Sequence, residues 1–178
     1  MAISLNEQGT AVSRLVVVGE GPDYSVADPP AINALLRLPV LGPLLFRGLP
    51  PSVSRKVVMG FLAPGASVAS AFDDVTQPVW DVRAVQYACF LGTQEEKERY
   101  VAERPLDVRI PALGTPALVI FGERDQVFRS AESCDRYRAM PDATVEVVPG
   151  AGHSPITEDP SGTAEIIRRS VAASGAGT

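Results

Sequence analysis

The chain has 178 residues, 46% of them hydrophobic, with 16 Lys and Arg against 21 Asp and Glu for a formal net charge of -5. That is enough apolar material for one globular core, or one core with an insertion, and too much for a disordered chain. The basic residues are scattered rather than gathered into a phosphate-binding footprint, which excludes nucleic acid as a partner.

The start, MAISLNEQGTAVSRL, lacks the basic segment and continuous apolar run of a secretory signal. Cys89 and Cys134 have neither disulfide-framework nor metal-ligand spacing, and are expected to be buried small hydrophobes in a cytoplasmic protein. One histidine and two distant cysteines make no ligand set, so neither metal nor cofactor is expected.

The first strand signal is RLVVVGEGP (14–22), a short β-branched run closed by Gly and Pro. AINALLRLPVLGPLLF (31–46) follows. It is interrupted by Arg37, Pro39, Gly42 and Pro43 and is too short to span roughly 30 Å of hydrocarbon, so it reads as soluble core or lid and not as a membrane segment. Residues 25–108 as a whole break the strand-helix alternation: Pro- and Gly-rich at first, helical later, they read as an insertion over one end of a sheet. PALVIFGERD (116–125) and ATVEVVPGAGH (143–153) are two further strands of the type buried on both faces. Between them, RSAESCDRYRAMPDA places Ala131, Cys134, Tyr137 and Met140 three apart, one face of a helix. Strand, helix, strand over about 35 residues is a crossover unit, and an α/β architecture with a parallel sheet follows. Asp159 and Pro160 then mark the start of a last helix, with Ala164, Ile167 and Val171 on its apolar side.

In a parallel sheet the loops beyond the strand C-termini hold the functional groups. Asp125 and His153, the only histidine, both sit at such ends, 28 residues apart. A carboxylate there accepts the imidazole Nδ1 proton, orients the ring and stabilises it when protonated. Gly150 and Gly152 permit the sharp path that presents His153. Other readings stay open. His153 can be a plain loop histidine, Asp125 a helix N-cap, and the acid can lie one strand earlier, at Glu20 or Asp23. Glu123 and Arg124 read as solvated neighbours of the Asp125 turn.

PALVIFGERDQVF and VPGAGHSPITEDP resemble, in order and spacing, the last two catalytic loops of the α/β-hydrolase fold. SRLVVVGEGP is similar to the strand after that family's nucleophile helix, and 25–108 to its helical cap. The resemblance implies the C-terminal part of an α/β-hydrolase parallel sheet with an inserted helical cap: core 1–24 and 109–178, cap or lid 25–108. It also implies hydrolysis of an ester or similar small apolar substrate by a Ser-His-Asp site, with His153 as base and Asp125 as acid. The G-x-S-x-G elbow and the oxyanion-hole loop of the family precede the strand that here is 14–22 and are missing from these residues, since MAISLNEQG is similar to the helix after the elbow. The expectation is therefore an N-terminally truncated fragment, inactive alone. Two other readings accompany it. One is a non-catalytic binding or complementing module, joined through the edge of residues 14–22 to a separate N-terminal half or to another copy. The other is a fragment similar to haloalkane dehalogenases or epoxide hydrolases, with an Asp nucleophile.

Gly65 to Ala69 mimics the elbow around Ser67, but no buried strand leads into it, and a helix start is the plainer account. Ser154 is assigned to bonding the loop backbone, and Glu158 either contacts the loop bearing His153 or, on the plainer account, helps start the last helix. Phe61, Phe72, Trp80, Tyr87 and Phe90 either line an apolar pocket or form the core of the cap.

Overall fold

The computed structural model describes residues 2–28 and 32–175. Helix α1 (Ala2–Glu7) precedes strand β1 (Leu15–Val18). Seven helices follow: α2 (Ile32–Leu36), α3 (Leu41–Gly48), α4 (Pro51–Met59), α5 (Val68–Ala71), α6 (Gln77–Ala84), α7 (Tyr87–Glu103) and α8 (Leu106–Arg109). Then come β2 (Ala117–Gly122), α9 (Ser130–Arg138), β3 (Ala143–Val148), α10 (Pro155–Glu158) and α11 (Pro160–Gly175). The strands form a parallel sheet in the order β1-β2-β3, with Val17 beside Val119 and Val119 beside Val145. The architecture is the expected α/β one, with helices inserted between β1 and β2.

All six residues of β2 are buried. Period-two alternation sends Ala117, Val119 and Phe121 to one face, where Cys134, Tyr137 and Met140 of the α9 segment pack on them. Leu118 and Ile120 face the other way, against Ile166 and Ile167 of α11. Each large apolar side chain removed from water here contributes about 1.5–3 kcal/mol.

The outer strands depart from the expectation of cover on both faces. Val16 is 41% exposed and Thr144 is exposed, because β1 and β3 are the edges of the described sheet. All three strands also end earlier than the runs 14–22, 116–125 and 143–153. β1 stops where Gly19 adopts φ 62, and β2 and β3 end in turns where Glu123 N donates to Val148 O at 3.0 Å. On α9, Ser133 and not Ala131 joins the buried face, and on α11 Thr163 and Ile166 flank Ile167 while Ala164 and Val171 are exposed. A period of 3.6 rather than 3 accounts for the rotated faces.

Cys134 is buried as expected, but Cys89 is exposed on α7. The stretch 31–46 divides into α2 and α3, burying Leu36 but leaving Leu35, Leu38, Val40 and Leu44 exposed; Ala31 lies outside the described residues. Among the described residues no helix is long and apolar enough to cross a membrane.

Two arginines tie the layers together. Arg109 donates to Glu7 Oε1 at 2.7 Å and to Tyr100 O at 3.0 Å, fixing α1 against α7, and its guanidinium holds the Glu7 carboxyl below the usual carboxylate range. Arg136 on α9 forms a two-pronged pair with Asp107 at 2.8 Å and reaches Asp23 at 2.9 Å. Burial works to raise the pKa of Asp23, but hydrogen bonds from Arg136 and Ser25 outweigh it and hold the carboxyl below its ordinary 3.8. Arg136→Met leaves two carboxylates, 17% and 15% exposed, without their cation. Urea unfolding at neutral pH is expected to show a loss of about 2 kcal/mol. A depressed carboxyl pKa contributes stability above the unfolded value and loses it as pH falls through the folded one, so the Asp23 share of the difference closes below pH 3.8.

Candidate active site

The turn after β2 and the loop after β3 converge. His153 Nδ1 lies 3.0 Å from Asp125 Oδ2, with the Asp125 side chain fully buried and that of His153 19% exposed. The other carboxylate oxygen, Oδ1, accepts from Val127 N at 2.7 Å and Phe128 N at 3.1 Å. Asp125 is therefore not the cap of α9, which begins at Ser130; it closes its own turn with one oxygen and meets the imidazole with the other. An Nδ1–H donated to Oδ2 leaves Nε2 free to accept a proton, which is the tautomer a general base needs.

Glycines bring the backbones close enough for this. Gly150 has φ 73 and makes the bend expected of it. Gly152 serves differently, by close approach: a Cβ there would stand 2.3 Å from Ala63 N. A Cβ on Gly122 would lie 1.9 Å from Gly152 O, and one on Gly19 2.5 Å from His153 O. The end of β1 thus abuts the histidine loop.

The alternative acids point elsewhere. Glu20 pairs with Lys97 at 2.6 Å, and Asp23 with Arg136. Glu20 O also accepts from the Tyr137 hydroxyl at 3.0 Å, and burial pushes the pKa of that hydroxyl up, so it stays a donor. Glu123 is not merely solvated, since its Oε2 accepts from Gly150 N at 2.9 Å and braces the histidine loop.

Ser67 is the N-cap of α5, sharing reciprocal bonds with Ser70. Ser154 stands at the N-cap of α10 without a side-chain cap bond, while its carbonyl takes the N–H groups of Thr157 and Glu158. Of the five aromatics, the structure brings Phe61 to the site, its ring centre 5.5 Å from that of His153. Tyr87 and Phe90 pack on Phe46, Phe72 caps α5, and Trp80 is exposed beside Arg83.

Phe128 was not singled out from the sequence, yet its ring lies 5.9 Å from the imidazole. It is held there by the segment after β1, where Asp28 N donates to Val127 O and Arg129 N to Val26 O, each at 2.8 Å. A cleft of about 450 Å³ lies against the loop that leads to His153, lined by Ala63, Pro64, Arg124, Gly150, Ala151 and Glu158 among others, with His153 itself not in its lining.

A model of the alpha/beta hydrolase family matches residues 2–166. No curated protein matches the chain. Among solved structures, a thermophilic esterase from Thermogutta terrifontis is similar at a TM-score of 0.64 and 18% identity, over 97% of this chain and 61% of its own. An esterase from Exiguobacterium antarcticum gives 0.67 and 16% over 96% and 62%, and a 2-hydroxy-6-oxo-6-phenylhexa-2,4-dienoate hydrolase from Rhodococcus sp. strain RHA1 gives 0.66 and 14% over 93% and 57%. The chain thus spans about three fifths of the length of these structures.

Proposed function

The chain belongs to the alpha/beta hydrolase family, and from that premise we propose that it carries the acid and base of a serine-type hydrolase site for small apolar esters, with the nucleophile and oxyanion donors supplied from outside these residues. The observation that carries this reading is the buried Asp125 carboxylate 3.0 Å from a His153 ring that is still open to solvent. In the reaction, Nε2 takes the proton of the attacking hydroxyl as that oxygen bonds to the ester carbonyl carbon. The imidazolium then gives the proton to the departing alkoxide. In the second half Nε2 takes a proton from water as the water oxygen bonds to the acyl carbon, and the imidazolium gives that proton to the nucleophile oxygen as its bond to the acyl carbon breaks.

Phe61, 41% exposed beside the ring and backed by the buried Phe128, supplies an apolar wall, which suits an uncharged acyl or alkyl group better than a polar one. Helices α2–α7, in residues 25–108, act as the cap over this end of the sheet. The edge of β1, next to exposed Val16, is where the nucleophile-bearing part of the sheet adds by strand pairing.

Fluorophosphonate labelling tests the reading. The 178-residue chain alone is expected to take no label. Joined to or mixed with an N-terminal part bearing the elbow, it is expected to promote labelling on that part, and His153→Gln to abolish the promotion. Labelling that proceeds equally with His153→Gln contradicts the assignment.

A further inference from the structure

Of the two roles the sequence leaves open to it, Glu158 takes contact with the loop bearing His153. It ends α10 and plays no part in starting α11, whose first turn is capped by Asp159 Oδ1 accepting from Gly162 N at 2.9 Å. Its carboxylate turns back instead and spans two separate segments: Oε2 accepts from Gly152 N and Oε1 from Ala63 N, both at 2.7 Å. Gly152 immediately precedes His153, and Ala63 lies two residues after Phe61. On the other side of the same short strap, Gln126 Nε2 donates to Leu62 O at 2.6 Å, and Gln126 immediately follows Asp125.

The strap 61–63 is therefore gripped at its N–H by a side chain from α10, just after the histidine loop, and at its C=O by one from the acid turn. Leu62 and Ala63 are buried, whereas Phe61 is 41% exposed over the imidazole. Carboxylates with two N–H donors form short, charge-assisted bonds, and both oxygens are used here as acceptors.

We propose that Glu158 is a positioning residue, one carboxylate fixing both the backbone entering His153 and the placing of Phe61 over its ring. The proposal rests on the reading of His153 as the base and deepens it by making the apolar wall of the substrate site conditional on this clamp. A glutamine is nearly isosteric but presents an NH₂ to one of two N–H donors, so one donor is orphaned and the clamp opens on one side.

Because His153 is the only imidazole, its reaction with diethyl pyrocarbonate, followed by peptide mass, and its Cε1–H proton resonance each report a single site. In the 178-residue chain, Glu158→Gln and Phe61→Ala are each expected to speed carbethoxylation of His153 by about threefold or more, as a locally opened segment does. Both are expected to move the resonance in the same sense. The double variant is expected to react no faster than Phe61→Ala, since both changes remove one cover. A rate for Glu158→Gln within about twofold of the parent, or a double variant whose effects multiply, overturns the proposal. If Glu158→Gln unfolds at the assay temperature, Gln126→Ala, at an exposed side chain, decides: acceleration supports the clamp and an unchanged rate overturns it. Asp125→Asn separates the two claims. A His153 resonance unmoved by that change sinks the acid assignment and leaves the clamp standing.

Discussion

His153→Ala is expected to lower kcat for a short p-nitrophenyl ester by about 100,000-fold or more in a protein where this chain is joined to the nucleophile-bearing part of the fold. In the proposed reaction the imidazole takes part in both proton transfers of each half-reaction, and these 178 residues hold no second imidazole to substitute for it. Asp125→Asn acts on the same step less severely, by about 10,000-fold. An amide keeps the 3.0 Å geometry but turns an NH₂ toward Nδ1, which selects the tautomer with the proton on Nε2, where it blocks attack. KM is expected to change little in either case, because neither side chain forms the apolar wall. Steady-state kinetics of the parent and the two variants, with folding checked by circular dichroism, provides the comparison.

Phe121→Ala is expected to cost about 3–5 kcal/mol of stability. Phe121 is fully buried in the central strand and faces the Tyr137 ring at 6.4 Å between centres. The alanine loses the transfer energy of the ring and leaves a cavity between β2 and α9 that two paired strands cannot close. The residue also stands immediately before Gly122, from which the Asp125 turn departs, so a shift of β2 is carried to the site. Phe121→Leu keeps most of the volume and is expected to cost less than about 1.5 kcal/mol. Urea unfolding of the three proteins checks both figures, and an alanine variant as stable as the leucine one contradicts the placing of this core.

What the sequence made legible follows from which signals are local. β2 was readable because six consecutive buried residues leave no ambiguity of face, and the α9 stripe because Cys134, Tyr137 and Met140 recur at helical spacing. The contact of Asp125 with His153 was legible because each lies just past a strand end in a Gly-bearing turn. The exposure of β1 and β3 was not readable, since the same β-branched runs serve central and edge strands alike and only the neighbours distinguish them.

Of the residues that brace the site, Glu123 and Gln126 were missed and Glu158 was legible only as the less plain of two readings, for a related reason. Glu123, Gln126 and Glu158 all bond backbone groups of distant segments, and backbone groups carry no residue-type signal. The usable clue was indirect: a loop with Gly150 and Gly152 has N–H donors and few side chains of its own, so acceptors must come from elsewhere. Phe128 was hidden because it is placed by pairing of the 26–28 segment with the acid turn, a contact 101 residues apart in the Asp28–Arg129 pair. The exposure of Cys89 had no sequence cue, as helix α7 presents polar and apolar residues on most of its sides.

The central claim, that His153 is the working base of a site completed from outside these residues, is most directly measured by titrating the chain into an N-terminal part that carries the elbow. The release of p-nitrophenol from a short ester is followed throughout. The account predicts a rate that rises and saturates with the parent chain and stays at background with the His153→Ala chain. Equal saturation with both chains would contradict it, leaving the chain a scaffold and the proton transfer to some other group.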